Sequence, residues 1–285
     1  MENVKCCLCK AESAHKLYHK QGFDIVRCGQ CGLVYVNPRL SREEINRIYA
    51  SESYYYGEGL GYRDYVGDYY SHMYLANRRL DLLEKSCEKG KLLDVGCAHG
   101  FFLSAARERG WEVYGVDISK LVSDYAREKY GLNVINRSLE DTHFPNNFFD
   151  VVTMWDVLEH LGDPPAVMVE VKRILRKGGF VFLQVPNFSG FQSRLMRGRW
   201  KDIKPPYHLW YFTPKTLSQL LNSKGFSIVR IRGGKSPVSL KRFLSKHGLG
   251  HGWITKILKL FHLAGYWYLS CGWLSEVIEV LAREI

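Results

Sequence analysis

Residues 91–100 read KLLDVGCAHG, and a second short apolar run, WEVYGVD, begins at Trp111 and ends in Asp117. Leu92, Leu93 and Val95 predict a buried strand, and residues 101–109 have helical periodicity. Between them Gly96 and Gly100 let the backbone bend and approach a ligand with no Cβ in the way. An acid at the tip of the next strand, Asp117, suits the paired hydroxyls of a ribose. Strand, glycine bend, helix, strand and acid together predict a nucleoside-binding site.

The spacing narrows the ligand. A dinucleotide fingerprint needs G-x-G-x-x-G, whereas the order here is Asp94-x-Gly96-x-Ala98-x-Gly100, with no evident phosphate cradle. This stretch resembles motif I of the class I S-adenosylmethionine-dependent methyltransferases. The resemblance implies that Asp94, Gly96, Cys97, Ala98 and Gly100 wrap the amino-acid end of S-adenosyl-L-methionine and that Asp117, with Ile118, holds the ribose. It also implies that Leu139 and Glu140, in the run Ser138-Leu139-Glu140-Asp141, edge the adenine, and that Trp155 lies at the site.

The following segments come in the order such a fold requires. Residues 133–135 predict a third strand, and FFDVVTMW at 148–155 is a near-continuous apolar run of the kind a central parallel strand shows. Pro164 and Pro165 open a helix through Ile174, Lys177-Gly178-Gly179 is expected to close it, and residues 180–185 predict a fifth strand. Strands alternating with helices imply an α/β, Rossmann-like, mostly parallel sheet, with ligands beyond the carboxyl ends of its strands. The resemblance further implies that residues 226–231 and 276–282 pair as a hairpin with an antiparallel last strand. Gly96, Asp117, Leu139 and Asp156 all fall at such ends.

With 285 residues and 46% hydrophobic content, the chain can bury one α/β core and still carry a small accessory domain. No signal peptide and no apolar stretch of spanning length are evident, so a cytoplasmic placement is expected. Eight cysteines then read as thiols or metal ligands. Cys6-x2-Cys9 and Cys28-x2-Cys31, eighteen residues apart, have the spacing of two knuckles around one tetrahedral structural Zn2+. Cys7 competes with Cys6 for the first position, and Cys87, Cys97 and Cys271 read as small apolar fillers. Three regions follow: a zinc ribbon at 1–40, a tyrosine-rich helical linker at 41–89 that either lids the site or packs between domains, and the methyltransferase domain at 90–285.

Charge is uneven. Residues 1–171 hold 20 Lys and Arg against 25 Asp and Glu, and residues 172–285 hold 20 against 4, a net −5 against +16 within the total of +11. Such an excess indicates an anionic partner: a phosphorylated substrate, an anionic membrane or nucleic acid. An insertion at about 233–272 contains WITKILKLFHLAGYWYL at 253–269, where apolar residues recur at helical spacing beside Lys256, Lys259 and His262. That pattern describes an interfacial helix, and residues 190–200 mix Phe191, Leu195, Met196 and Trp200 with three arginines in the same way. Core packing or a dimer interface is the competing account of both.

A hydroxyl acceptor needs a base, and two segments offer one. Asp156-Val157-Leu158-Glu159-His160 resembles the part of quinone-biosynthesis O-methyltransferases where two acids and a histidine gather a divalent cation, implying Mg2+ on Asp156, Glu159 and His160. The alternatives are that His160 acts alone, or that Glu159 and His160 anchor the next loop. In PPYHLWYFT at 205–213, His208 either faces the substrate as a base or hydrogen-bonds backbone to shape the segment. The ribbon, Tyr54-Tyr55, VLEH at 157–160 and HLWYFT at 208–213 together resemble the zinc-ribbon branch of bacterial class I methyltransferases. That branch is associated with sugars, surface polysaccharides and secondary metabolites; with the basic carboxyl-terminal half and the amphipathic segments, it points to an anionic small-molecule or glycan-linked acceptor, with peripheral membrane contact as a further expectation. An RNA methyltransferase is the alternative enzyme, and a non-catalytic binding module on the same scaffold is the third reading.

Overall fold

The computed structural model describes residues 1–50, 69–234 and 276–285. The chain begins with an antiparallel hairpin, β1 (Ala14–Lys20) against β2 (Phe23–Cys28). Its two turn residues, Gln21 and Gly22, have φ of 51° and 82°, the positive pair that matches the twist of the flanking strands. β3 (Val34–Val36) adds to the other side of β2, and α1 (Arg42–Ala50) follows.

α2 (Tyr69–Leu83) then leads into the larger sheet, made of β4 (Lys91–Val95), β5 (Glu112–Val116), β6 (Val134–Ile135), β7 (Phe149–Trp155) and β8 (Leu175–Pro186). These five are mutually parallel. Between them run α3 (Phe101–Glu108), α4 (Lys120–Tyr130) and α5 (Pro164–Ile174). After β8 come α6 (Phe191–Met196), the two-residue β9 (Trp210–Tyr211), α7 (Pro214–Ser223), β10 (Phe226–Gly234) and β11 (Val277–Glu284). The order across the sheet is β10-β11-β8-β7-β4-β5-β6, and β11 is antiparallel to both neighbours. The expected α/β sheet with an antiparallel last strand is therefore present.

Alternation along the central strands decides which layer each residue joins. Leu92, Val151 and Phe182 pack with Ala76, Leu80 and Leu83 of α2 and Leu103 and Ala106 of α3. Their sequence neighbours Leu93, Val152 and Val181 face the opposite layer, with Met168 and Val171 of α5 and Leu217 and Leu220 of α7. Both faces are thus covered, which is why these strands read as unbroken apolar runs. α2 is also clamped to the sheet edge: the buried Glu279 carboxylate accepts from Arg78 at 2.9 and 3.3 Å and from Arg232 at 2.7 Å.

The helix starts follow their sequence signals. Asp163 caps α5 by accepting from the Ala166 amide, with two prolines behind it, and Thr213 and Thr216 form a reciprocal cap on α7. Lys177-Gly178-Gly179 does not close α5, however. The helix stops at Ile174 and the chain is already extended at Leu175, which pairs with Phe149. Gly178, at φ 73°, instead serves an irregularity inside β8, where pairing resumes at Val151 with Phe180.

β9 is not part of the large sheet. It pairs with β3, Val34 opposite Tyr211 and Tyr35 opposite Trp210, to complete a four-stranded sheet in the order β1-β2-β3-β9. The Trp210 indole donates to the Leu161 carbonyl at 2.7 Å, and Cys6, Leu33 and Tyr35 share one buried cluster with Leu209 and Phe212. The amino-terminal unit expected at 1–40 is thus built partly from residues far along the chain. Most of the tyrosine-rich stretch, at 51–68, and nearly all of the expected insertion at 233–272 lie outside the described residues.

Candidate functional site

The glycine bend lies where β4 ends. Gly96 and Gly100 have φ of 72° and 79°, and Ala98 between them takes the same left-handed conformation at 46°. A Cβ on Gly96 would stand 2.5 Å from Val157 Cγ2, and one on Gly100 would stand 2.6 Å from Leu132 Cδ1. The glycines therefore serve close packing as well as backbone conformation. Cys97 is buried, and its sulfur would lie 2.8 Å from a Cβ added at Gly115. Its side chain fills space against β5 and leaves the backbone to line the bend.

Asp117 joins the bend to the next strand. Its Oδ2 accepts from the Ala98 amide and its Oδ1 from the Ser119 amide, both at 2.9 Å. Each oxygen keeps a further lone pair for a hydroxyl donor. Burial pushes the carboxyl up to about 6, with the two backbone donors opposing. Asp94 is buried beneath the bend, where Thr153 Oγ1 donates to it at 2.6 Å. Burial pushes this carboxyl up to about 7, against the Thr153 hydrogen bond and the charge of Arg79. Ile118 beside Asp117 is 43% exposed. Leu139 instead packs in the core, so only its backbone is available to a ligand, and Glu140 is half-buried.

Arg79 is the residue here that no local pattern singles out. Its guanidinium carbon lies 4.1 Å from the Trp155 ring centroid, and its Nη2 lies 4.0 Å from Asp156 Oδ2. Its charge also reaches Asp94. α2 thereby brings one cation over the carboxyl ends of β4 and β7, a position suited to the carboxylate of an amino-acid ligand. Asp156 sits at φ 57° and accepts from Gln184 Nε2 at 2.7 Å. Its surroundings push the carboxyl upward, opposed by Arg79 and Gln184. Because 39% of its side chain is open, solvent screening moderates that push.

His208 is buried at 6% exposure. It lies beside His160, with ring centroids 4.7 Å apart and planes perpendicular, and burial drives its imidazole well below the ordinary value. Neutral imidazole is what a base requires, but this one has little surface open to a substrate. The trio Asp156, Glu159 and His160 expected to hold Mg2+ is not the group that converges. The potential ligand atoms within 4.8 Å of one another belong to Glu159, His160 and His208, because Asp156 turns toward Gln184 and Arg79.

In the amino-terminal sheet, Cys6, Cys9, Cys28 and Cys31 bring their sulfurs within 4.8 Å of one another. Cys6 and Cys31 are 3.4 Å apart, as are Cys9 and Cys28. Four thiolates around a tetrahedral zinc stand about 3.8 Å apart, given bonds of about 2.3 Å, so the four residues fit that ion. Tight turns hold them: the Lys10 amide donates to the Cys6 carbonyl and the Gly32 amide to that of Cys28. Cys7 is outside the group, and burial pushes its thiol upward.

Gly96→Ala tests the bend. The added methyl meets Val157 at a backbone angle that L residues rarely adopt, so about 1–3 kcal/mol of stability should be lost along with nucleoside affinity. Thermal unfolding and calorimetry would measure both. Gly110→Ala, also at positive φ but with nothing within 4 Å of the new Cβ, isolates the backbone share and should spare binding.

The family model described as "Methyltransferase domain" matches residues 68–231. A probable S-adenosylmethionine-dependent methyltransferase of Mycolicibacterium smegmatis is 26% identical over 167 residues, covering 58% of this chain and 63% of the relative. The chain thus spans less than two thirds of that relative's length. A ubiquinone biosynthesis O-methyltransferase of Cereibacter sphaeroides is 28% identical over 177 residues, covering 58% of this chain and 72% of the relative. Among solved structures, a SAM-dependent methyltransferase from Archaeoglobus fulgidus superposes with a TM-score of 0.55 at 18% identity, covering 78% of this chain and 100% of that one. A possible histamine N-methyltransferase from Thermotoga maritima gives 0.52 at 17% identity, covering 78% and 95%. Both likenesses concern the fold alone.

Proposed function

From the premise that the chain belongs to the methyltransferase-domain family and is an S-adenosylmethionine-dependent methyltransferase, we propose that its acceptor is a hydroxyl of a sugar in a nucleotide-linked or lipid-linked glycan precursor. The observation that carries this reading lies beyond the carboxyl end of β8, on the ligand side of the sheet. There α6 and the turn after it expose Arg194, Arg197 and Arg199 together with Phe191 (52% exposed), Leu195 (70%) and Met196 (44%). Arginines suit a phosphate and the apolar side chains suit a lipid tail or an anionic membrane surface. Among the described residues no helix is long and apolar enough to cross a membrane.

S-adenosylmethionine, when bound, supplies an electrophilic methyl on a sulfonium. The chain's own residues would bind and orient it: the Gly96–Gly100 backbone and Arg79 would hold the amino-acid end, and Asp117, with Ile118 beside it, would accept from the ribose hydroxyls. Glu140 and the Leu139 backbone would border the adenine, with Trp155 at the methyl side. In-line displacement then needs alignment and one proton acceptor. Asp156 would take the hydroxyl proton, because 39% of its side chain is exposed whereas His208 is buried. Cys6, Cys9, Cys28 and Cys31 would hold a structural Zn2+.

The test is label transfer from S-adenosylmethionine, with the full chain, to four acceptor sets: nucleotide sugars, lipid-linked sugars, phenolic quinone precursors and total RNA. Label is expected in a sugar fraction, stimulated by anionic vesicles if the acceptor is lipid-linked. Label only in the phenols, the activity named in the Cereibacter relative, or only in RNA would overturn the reading. RNA transfer should also lose affinity steeply with salt.

A further inference from the structure

Glu159 is 1% exposed, and neither of its carboxylate oxygens has a hydrogen-bond partner. An uncompensated buried carboxylate is too costly to persist as an anion, so it is either neutralised or bound to a cation. Two imidazoles face it. His160 Nε2 lies 3.9 Å from Glu159 Oε1, and His208 presents a buried Nδ1 with no partner.

The His160 ring is anchored by backbone on the side away from Glu159. His160 Nδ1 bonds the Tyr207 carbonyl at 3.0 Å, which fixes the proton there and leaves the Nε2 lone pair for the cluster. An imidazole held through one nitrogen by a carbonyl is the arrangement metal-binding histidines adopt. The backbone is braced as well, since the Leu209 amide donates to the Glu159 carbonyl at 2.8 Å.

We propose that Glu159, His160 and His208 form a second metal site, separate from the four cysteines, that binds one first-row divalent transition ion such as Zn2+, Co2+ or Mn2+. Two imidazoles and one carboxylate suit such ions, whereas Mg2+ takes oxygen ligands and keeps its waters. The three potential ligand atoms, now within 4.8 Å of one another, close to about 3.3 Å around an ion with bonds of about 2.0 Å. Three protein ligands leave a coordination position open. The ion neutralises Glu159 and ties the end of β7 to the segment that leads into β9.

Cobalt separates this site from the ribbon. The full chain, stripped with chelator, is titrated with Co2+ and followed by metal analysis and absorption. Two ions per chain are expected: one with the sulfur-to-cobalt charge-transfer band of four thiolates, and one with ligand-field bands alone. Glu159→Gln and His208→Gln should each remove only the second ion, leaving the charge-transfer band and the thermal shift produced by S-adenosylmethionine as evidence of folding. A single, thiolate-bound ion in the unaltered chain overturns the proposal, and so does a second ion that survives both substitutions. Neither readout involves an acceptor, so this result stands or falls apart from the identity of the methylated substrate.

Discussion

Replacing Asp117 by alanine is expected to lower S-adenosylmethionine affinity by at least about 100-fold. The carboxylate accepts from the Ala98 and Ser119 amides at 2.9 Å, and each hydrogen bond to a charged group contributes about 1.5–3 kcal/mol. Losing two leaves the bend without its tie to β5 before the ribose contacts are counted, and about 2.8 kcal/mol already amounts to a factor of 100. The pH dependence has two parts of opposite sign. Burial raises Asp117 to about 6, above its unfolded value. In the unliganded chain its protonation therefore contributes stability that is fully present below the unfolded value and is lost as pH rises through about 6. Ribose hydroxyls donate to the ionised form, so cofactor affinity should weaken as pH falls below about 6. Calorimetry across that range would show both, and Asp117→Asn, which keeps one acceptor oxygen, should flatten the slope. Alanine at 117 binding within a few-fold of the unaltered chain would show that Asp117 does not hold the ribose.

Asp117 was legible because its signal is local: an acid closing an apolar run, one strand after a glycine bend. The start of α5 was legible for the same reason, with Asp163 and two prolines in succession. Where the deciding partner is remote, the residue types carried less. Arg78 and Arg79 are adjacent on one helix, yet the first clamps Glu279 on β11 and the second lies over Trp155. Only the packing of α2 on the sheet distinguishes them. Glu159 follows an apolar strand and reads as a loop anchor, but its burial with two histidines depends on a segment that returns after β8. Nothing in the sequence marks Trp210 and Tyr211 as a strand, since two residues have no periodicity to detect and their partner lies in the amino-terminal sheet. Lys177-Gly178-Gly179 misled in the other direction. A glycine pair after a helix reads as a stop, and here it lets a strand bulge.

That remote pairing makes the second large effect one of structure. Exchanging Cys9 and Cys28 together for serine should unfold the amino-terminal sheet, because ligation of a structural zinc by such knuckles is worth about 10–16 kcal/mol, as much as a whole domain's stability of about 5–15 kcal/mol. The damage should not stop at residue 40. The Val36 amide donates to the Leu209 carbonyl, and β3 pairs with β9, so losing β3 removes the partner that holds the segment carrying His208. β4, β5 and the Asp117 contacts belong to the other sheet and should survive. Hydrogen exchange is therefore expected to rise together in residues 14–36 and 207–213 while β4 and β7 stay protected. S-adenosylmethionine should still bind. Exchange confined to residues 14–36, with 207–213 still protected, would mean that β9 is held by the Glu159 carbonyl and the Trp210 indole without help from the ribbon. The zinc site would then stabilise only its own sheet, with no hold on the histidines.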